Sequence, residues 1–218
     1  MEQPDVQASN FWEVERELIF SVASRNDFGF TVGASQVLIR CIHDTTRLAS
    51  LQVHEDVETR QSATEELYQR ILECDLEHSS SQELVQLHHE IFKMGVLIHF
   101  HRRILNSVPC ALIPLLDILL GYVTKYESLK GGYITIWPVF IAAVEAYKED
   151  HKSCLRGWLN SAEKLGAANR VDAGLLIEAV WRERKRKTNE IGEGTEEGDV
   201  IVDWRQVMEE MRMHILLV

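Results

Sequence analysis

The chain has 218 residues, 45% hydrophobic and 26% charged, with a formal net charge of −11. That length and balance fit a single globular domain with a sizeable core. An excess of acids argues against a chain that grips nucleic acid by itself, because affinity for phosphates comes from a basic surface.

Four cysteines, Cys41, Cys74, Cys110 and Cys154, form no C-x-x-C pair, which excludes a zinc knuckle or a thioredoxin-type motif. Each falls in an apolar helical pattern, so buried reduced thiols in a cytosolic or nuclear protein are expected. The amino terminus has no basic stretch followed by an apolar one, so no signal peptide is expected.

Phe11, Val14, Leu18 and Val22 recur at helical steps and predict a first helix from about Asn10. Residues 1–30 are expected to form the looser end of one domain spanning 1–218. From Ser35, a second helix turns Leu38, Cys41, Thr45 and Leu48 to one face. A third, from about Glu58 to Glu77, turns Leu67, Ile71 and Cys74 inward. Ser80-Ser81-Gln82-Glu83 reads as a capping box. It opens the longest helix, whose stripe is Leu84, Leu87, Ile91, Met94, Ile98 and Leu105.

The most apolar stretch, Val108 to Val123, is too short to span a bilayer and is interrupted by Pro109, Pro114, Asp117 and Gly121. It reads as a core helix with a kink or late start at Pro114. Gly131-Gly132 is a break, after which Trp137-Pro138 starts a helix to about Lys148. The next helix ends near Gly166, and another runs from about Asp172 to Lys187. Residues 188–199 are expected to be a flexible acidic loop, and Asp203 to cap a last short helix. Tyr133 to Ile136 is the best strand candidate and is very short. The predicted fold is all-α, an orthogonal or superhelical array of about 8–10 helices with no significant sheet.

Trp137, Trp158, Trp181 and Trp204 each fall in one of the last helical segments, and the chain stops on Ile215-Leu216-Leu217-Val218. An apolar terminus of this kind is expected to dock on a core shared by those segments. With Phe140, the tryptophans would either line a pocket for a small apolar ligand or form plain packing core. Glu145 and Glu178 lie near them and need a cationic or amide partner if buried.

Other motifs carry less. His89-Glu90 lacks the second histidine of H-E-x-x-H, so His88, His89, His99 and His101 read as packing or surface residues and no metal site is expected. Gly192, Gly194 and Gly198 have the wrong spacing for a dinucleotide loop. Neither a D-D-x-x-D helix nor a G-x-S-x-G elbow is present, so an α-helical enzyme has no catalytic set to rest on. Arg182, Arg184, Lys185, Arg186 and Lys187 form the one basic run. It reads as a nuclear-import or phosphate-contact patch, or as cations offsetting a helix macrodipole.

Read together, three segments look like a known ending: Trp137-Pro138-Val139-Phe140-Ile141-Ala142-Ala143-Val144-Glu145-Ala146, then Leu176-Ile177-Glu178-Ala179-Val180-Trp181-Arg182, then Val202-Asp203-Trp204-Arg205-Gln206-Val207-Met208. With the terminal Ile215-Leu216-Leu217 they resemble the carboxyl half of the fungal-specific transcription factor domain. That domain is found behind the zinc-cluster (Zn2Cys6) DNA-binding module. The family pattern is W-P-x-F/L-I-A-G-x-E-A, later V-W-x-x-R, then D-W-x-x-V-M and an apolar end; Ala143 stands where glycine is common. Leu97 to Leu105, with the paired Arg102-Arg103, is similar to another family helix, and the likeness covers residues 30–218.

The resemblance implies a helical regulatory domain of a nuclear transcription regulator, with the cytoplasm as the alternative location. Its partners would be the transcription machinery or a homo- or heterodimer. A hydrophobic, sterol-like effector is implied by related domains and gives the alternative function of ligand sensing. The family's zinc belongs to an amino-terminal C-x-x-C-x6-C array that this chain does not contain. No cofactor and no direct DNA binding are therefore expected, whether the chain is a fragment of a larger regulator or acts without its own DNA contact.

Overall fold

The structure, a computed structural model, describes residues 34–50, 57–75, 83–131, 134–163 and 168–215. Eight α-helices are present among them: α1 Gln36–Ser50, α2 Val57–Leu72, α3 Glu83–Arg103, α4 Ile113–Ser128, α5 Ile136–Glu145, α6 Glu149–Glu163, α7 Ala168–Ile191 and α8 Trp204–Glu210. Two 3-10 turns, Pro109–Leu112 and Glu197–Asp199, complete the order, and no strand occurs among the described residues. The all-α expectation therefore holds, and Ile136, the end of the strand candidate, opens a helix instead. The expected first helix, the serines of the capping box, Gly166 and residues 216–218 lie outside the described residues.

Two helices form the centre because they are buried on every side, the mark of a helix with neighbours all round. In α3 every residue from Ile91 to Phe100 is buried, and the helix packs against α1, α2, α4 and α5. In α5 only Trp137 is partly exposed, and the helix packs against α3, α4, α6 and α7. The two cross at Gly95, where a Cβ would stand 2.6 Å from Pro138 Cβ and 2.7 Å from Pro138 Cα. Only glycine allows this approach.

Polar ties fix the outer helices. Ser35 Oγ accepts from Leu38 N at 3.3 Å and so caps α1. Arg70 of α2 pairs with Asp44 of α1. His89 Nε2 donates to the Cys74 carbonyl at 3.1 Å. Lys93 pairs with Asp75 at 3.2 Å.

Several boundaries differ from expectation, each for a local reason. Leu105, expected as the last core residue of α3, lies beyond the helix and is 49% exposed, because the chain turns away through Asn106 at φ 49. Pro109 opens a 3-10 turn and α4 starts late at Ile113, which places Pro114 in its first turn. Helix α5 stops at Glu145, not Lys148, where Ala146 turns extended. Helix α7 continues to Ile191, so residues 188–191 are helical rather than loop. Thr188 Oγ1 donates to the Arg184 carbonyl at 2.9 Å and Arg186 pairs with Glu190 across the added turn. Gly192, at φ +106, ends it.

Pro109–Ser128 runs for 20 residues and contains an 18-residue window of mean hydropathy 1.2, long and apolar enough to cross a membrane by length and composition. This corrects the shorter stretch read from sequence, because the 3-10 turn and α4 form one continuous helical run to Ser128. Here the segment is amphipathic. Leu116, Leu119, Leu120, Val123 and Tyr126 are buried, while Asp117, Lys125 and Glu127 lie outward.

The thiols also divide. All four cysteines are free, but only Cys41 and Cys74 are buried; Cys110 sits in the 3-10 turn outside any α-helix and Cys154 on the outer face of α6.

Candidate functional site

A helix ends with carbonyls that have no partner within it, and at the carboxyl end of α5 these are taken by side chains of α7. Trp181 Nε1 donates to the Ala143 carbonyl at 2.8 Å. One turn on, Arg184 donates through Nη2 to Val144 at 2.8 Å and through Nη1 to Ala146 at 3.0 Å. Its Nε donates to the Val200 carbonyl at 3.1 Å, which ties in the segment before α8. Arg184 is fully buried, and its charge lies at the negative end of the α5 dipole.

Glu145, 3% exposed, completes the junction. Arg102 Nε donates to its carboxylate at 2.7 Å and Arg184 Nη2 lies at 3.4 Å. Arg102 also donates to the Ser107 carbonyl at 2.7 Å. Burial pushes the Glu145 carboxyl upward, and the guanidiniums of Arg102 and Arg184 pull the other way. The other carboxylate noted in the sequence, Glu178, is held by Arg156 in a two-pronged pair at 2.6 and 3.1 Å. The W-x-x-R spacing thus has a structural reason, since residues three apart lie on one helix face.

The five aromatic residues read as either a pocket lining or plain packing core are spread over separate packing contacts. Trp137 stacks on Phe92 at 5.5 Å and meets His99 edge-on at 5.7 Å. Trp158 lies under the Arg170 guanidinium at 4.4 Å. Trp181 has Arg156 at 5.0 Å and Lys152 at 5.7 Å from its ring. Phe140 and Trp204 meet edge-on at 5.1 Å. Asp203 caps α8 as expected, accepting from Arg205 N at 3.0 Å, and Ile215 packs on the core.

Of these aromatics, Trp204 borders a cleft of about 190 Å³ between α3, the end of α5 and residues 201–205. Ile141, Val144, Ile201 and Val202 form its apolar wall, and Arg102, Arg103 and Arg205 reach it together with Glu145 and Asp203. His99 also lines it and is 4% exposed. Neither His99 Nε2 nor Arg103 Nε has a hydrogen-bond partner among the described residues. Burial, reinforced by the charges of Arg205 and Arg103, pulls the His99 pKa down to about 3, so its ring is neutral. Burial and the charge of Arg103 likewise pull Arg205 down. Sequence reading missed this cleft, although the Arg102-Arg103 pair was visible in it.

The basic run does not form a continuous exposed patch. Arg184 is interior, which removes it from the set read from sequence. Arg186 pairs with Glu183 and Glu190, and Lys187 with Glu183. Arg182 and Lys185 are exposed.

Among the described residues no group of three or more His, Cys, Asp or Glu is placed to hold a metal ion. The buried charges join helix ends, and the fold and junction define an all-helical domain. The family model of the fungal specific transcription factor domain matches residues 8–218, and the chain belongs to that family. Searches of curated proteins and of solved structures returned no match. The family makes the protein a transcription regulator.

Proposed function

We propose that this chain is the regulatory and interaction part of that regulator, working through protein partners and not through a DNA-contacting surface of its own. The observation that supports this most is the fate of the basic run on α7. One cation is interior and two are paired with glutamates of the same helix, so the strongest candidate for phosphate contact is largely neutralised within the protein. The same fact weakens the import-signal reading of Arg182 to Lys187; what supports a nuclear location is the family alone. The transcription machinery and a second copy of the chain are the partner classes this reading implies. It needs no bound cofactor and assigns no catalytic role.

Fluorescence anisotropy with mixed-sequence duplex DNA at low and physiological salt tests the reading. The expected result is no binding that saturates and weakens with salt. Tight binding with a steep salt dependence would show that the chain supplies its own phosphate contacts.

Sensing of a sterol-like ligand by the tryptophans has less support. Pockets for drug-sized molecules run from about 300 to 1,000 Å³, and the cleft at Trp204 holds about 190 Å³.

A further inference from the structure

We propose that the cleft between α3, the end of α5 and residues 201–205 binds a small organic carboxylate with a compact apolar body. Arg103 and Arg205 would be its charge partners and His99 a neutral hydrogen-bond donor.

The charges of the cleft are unevenly matched. Glu145 is already divided between Arg102 and Arg184. Asp203 accepts from the Arg205 backbone at 3.0 Å and stands 3.7 Å from its guanidinium. Arg103 and Arg205 line the same cleft, and the Arg103 Nε is buried and without a hydrogen-bond partner among the described residues. Partly buried like charges repel, and a buried donor without an acceptor is costly. An anion between the two guanidiniums relieves both, through charge-assisted hydrogen bonds for which arginine is suited.

His99 is a second and independent sign. It is almost wholly buried, lines the cleft, and has an Nε2 with no partner among the described residues. Such atoms are uncommon in native interiors and call for an explanation. As a neutral ring it can present one N–H to an anion without adding charge.

The opposite wall selects the rest of the ligand. Ile141, Val144, Val202 and Trp204 offer apolar surface, which inorganic phosphate would not use. A dry cavity of about 150 Å³ accommodates benzene, so about 190 Å³ suits one ring or a short branched chain with its carboxylate. A ligand there would touch α3, α5 and the segment leading into α8 together, and so would strengthen the docking of that segment. The binding goes beyond the transcription reading and does not depend on it.

Thermal unfolding and calorimetric titration of the full chain, with benzoate, phenylacetate and isovalerate as probes, test the proposal. At least one carboxylate should bind saturably at millimolar concentration and raise the Tm, while benzyl alcohol and inorganic phosphate should not. Arg103→Gln should weaken that binding about tenfold or more, and Arg103→Lys by much less. Asn106→Asp provides a variant at an exposed lining residue whose positive φ aspartate tolerates. It should also weaken the carboxylate by bringing a like charge to the rim. No response to any of the three acids, an equal response to benzyl alcohol or phosphate, or binding indifferent to both Arg103→Gln and Asn106→Asp would overturn it.

Discussion

Arg184 donates to three backbone carbonyls, of Val144, Ala146 and Val200, and reaches the carboxylate of Glu145. Two of those acceptors are at the end of α5 and one lies before α8, so a single planar group holds three segments together. Arg184→Met should cost roughly 3–5 kcal/mol, since it strands buried acceptors and a buried carboxylate. Arg184→Lys should recover little, because an ammonium cannot reproduce the fork. Urea unfolding followed by circular dichroism measures both, with Arg182→Gln on the exposed face as the control whose midpoint stays put. A midpoint for Arg184→Met equal to the parent's would contradict this account of the junction. From the sequence, Arg184 looked like one of five clustered cations. Charge counting along the chain cannot tell an inward helix position from an outward one, whereas the three-residue step from Trp181 could have done so.

His99 has its own consequence at this scale. Its folded pKa, about 3, lies below the ordinary 6.5, so between those values the unfolded chain takes up a proton that the folded chain refuses. The contribution is intact above pH 6.5 and is lost as pH falls towards 3, at up to about 1.4 kcal/mol per pH unit. Arg103 and Arg205 face the ring and deepen the effect, and His88 and His101, both lowered by burial, act in the same direction. Replacing His99 by Gln should flatten the fall in unfolding free energy between pH 6.5 and 5. Parallel profiles for parent and variant would show that the ring is not kept neutral.

Between elements, the closest contact is the crossing of α3 over α5. Glycine inside a helix ordinarily costs about 1 kcal/mol relative to alanine, so Gly95→Ala would be stabilising in an isolated α3. At 2.6 Å from Pro138 Cβ and 2.7 Å from its Cα, the added methyl meets backbone as well as side chain. The helices must then separate, and overpacking of this kind costs about 1–3 kcal/mol. A lower Tm for Gly95→Ala is expected, and a higher one would mean that the helices do not cross this closely. Helix existence and core faces in the described region were legible because α1, α2 and α4 carry one apolar stripe each. The central role of α3 and α5 was less so. A helix whose polar residues are buried along with its apolar ones gives no solvent face from which to read direction, and Gly95 within such a run carried no visible signal. The end of α5 was missed because its terminal contacts come from the distant Trp181 and Arg184, and that of α7 because its added turn rests on local polar contacts in a stretch without apolar periodicity.

For the whole molecule, the family was readable from a few short segments, three of them the longest, and the all-α class from helical patterns along the chain. The structure brings those segments together: α5 supplies Glu145 and its terminal carbonyls, α7 supplies Trp181 and Arg184, and the approach to α8 supplies Val200 and Trp204. The aromatic residues left pocket and packing core open in the sequence because large aromatics serve packing as readily as binding, while the cleft at Trp204 is lined by charges distant in sequence.

The central claim is that this domain regulates transcription through other proteins. Fusing the full chain to an unrelated DNA-binding module at a reporter promoter, in a fungal host, tests it most directly. The account predicts a change in reporter output that requires the tether and is lost with Arg184→Met. A folded fusion that occupies the promoter and leaves transcription unchanged would contradict it.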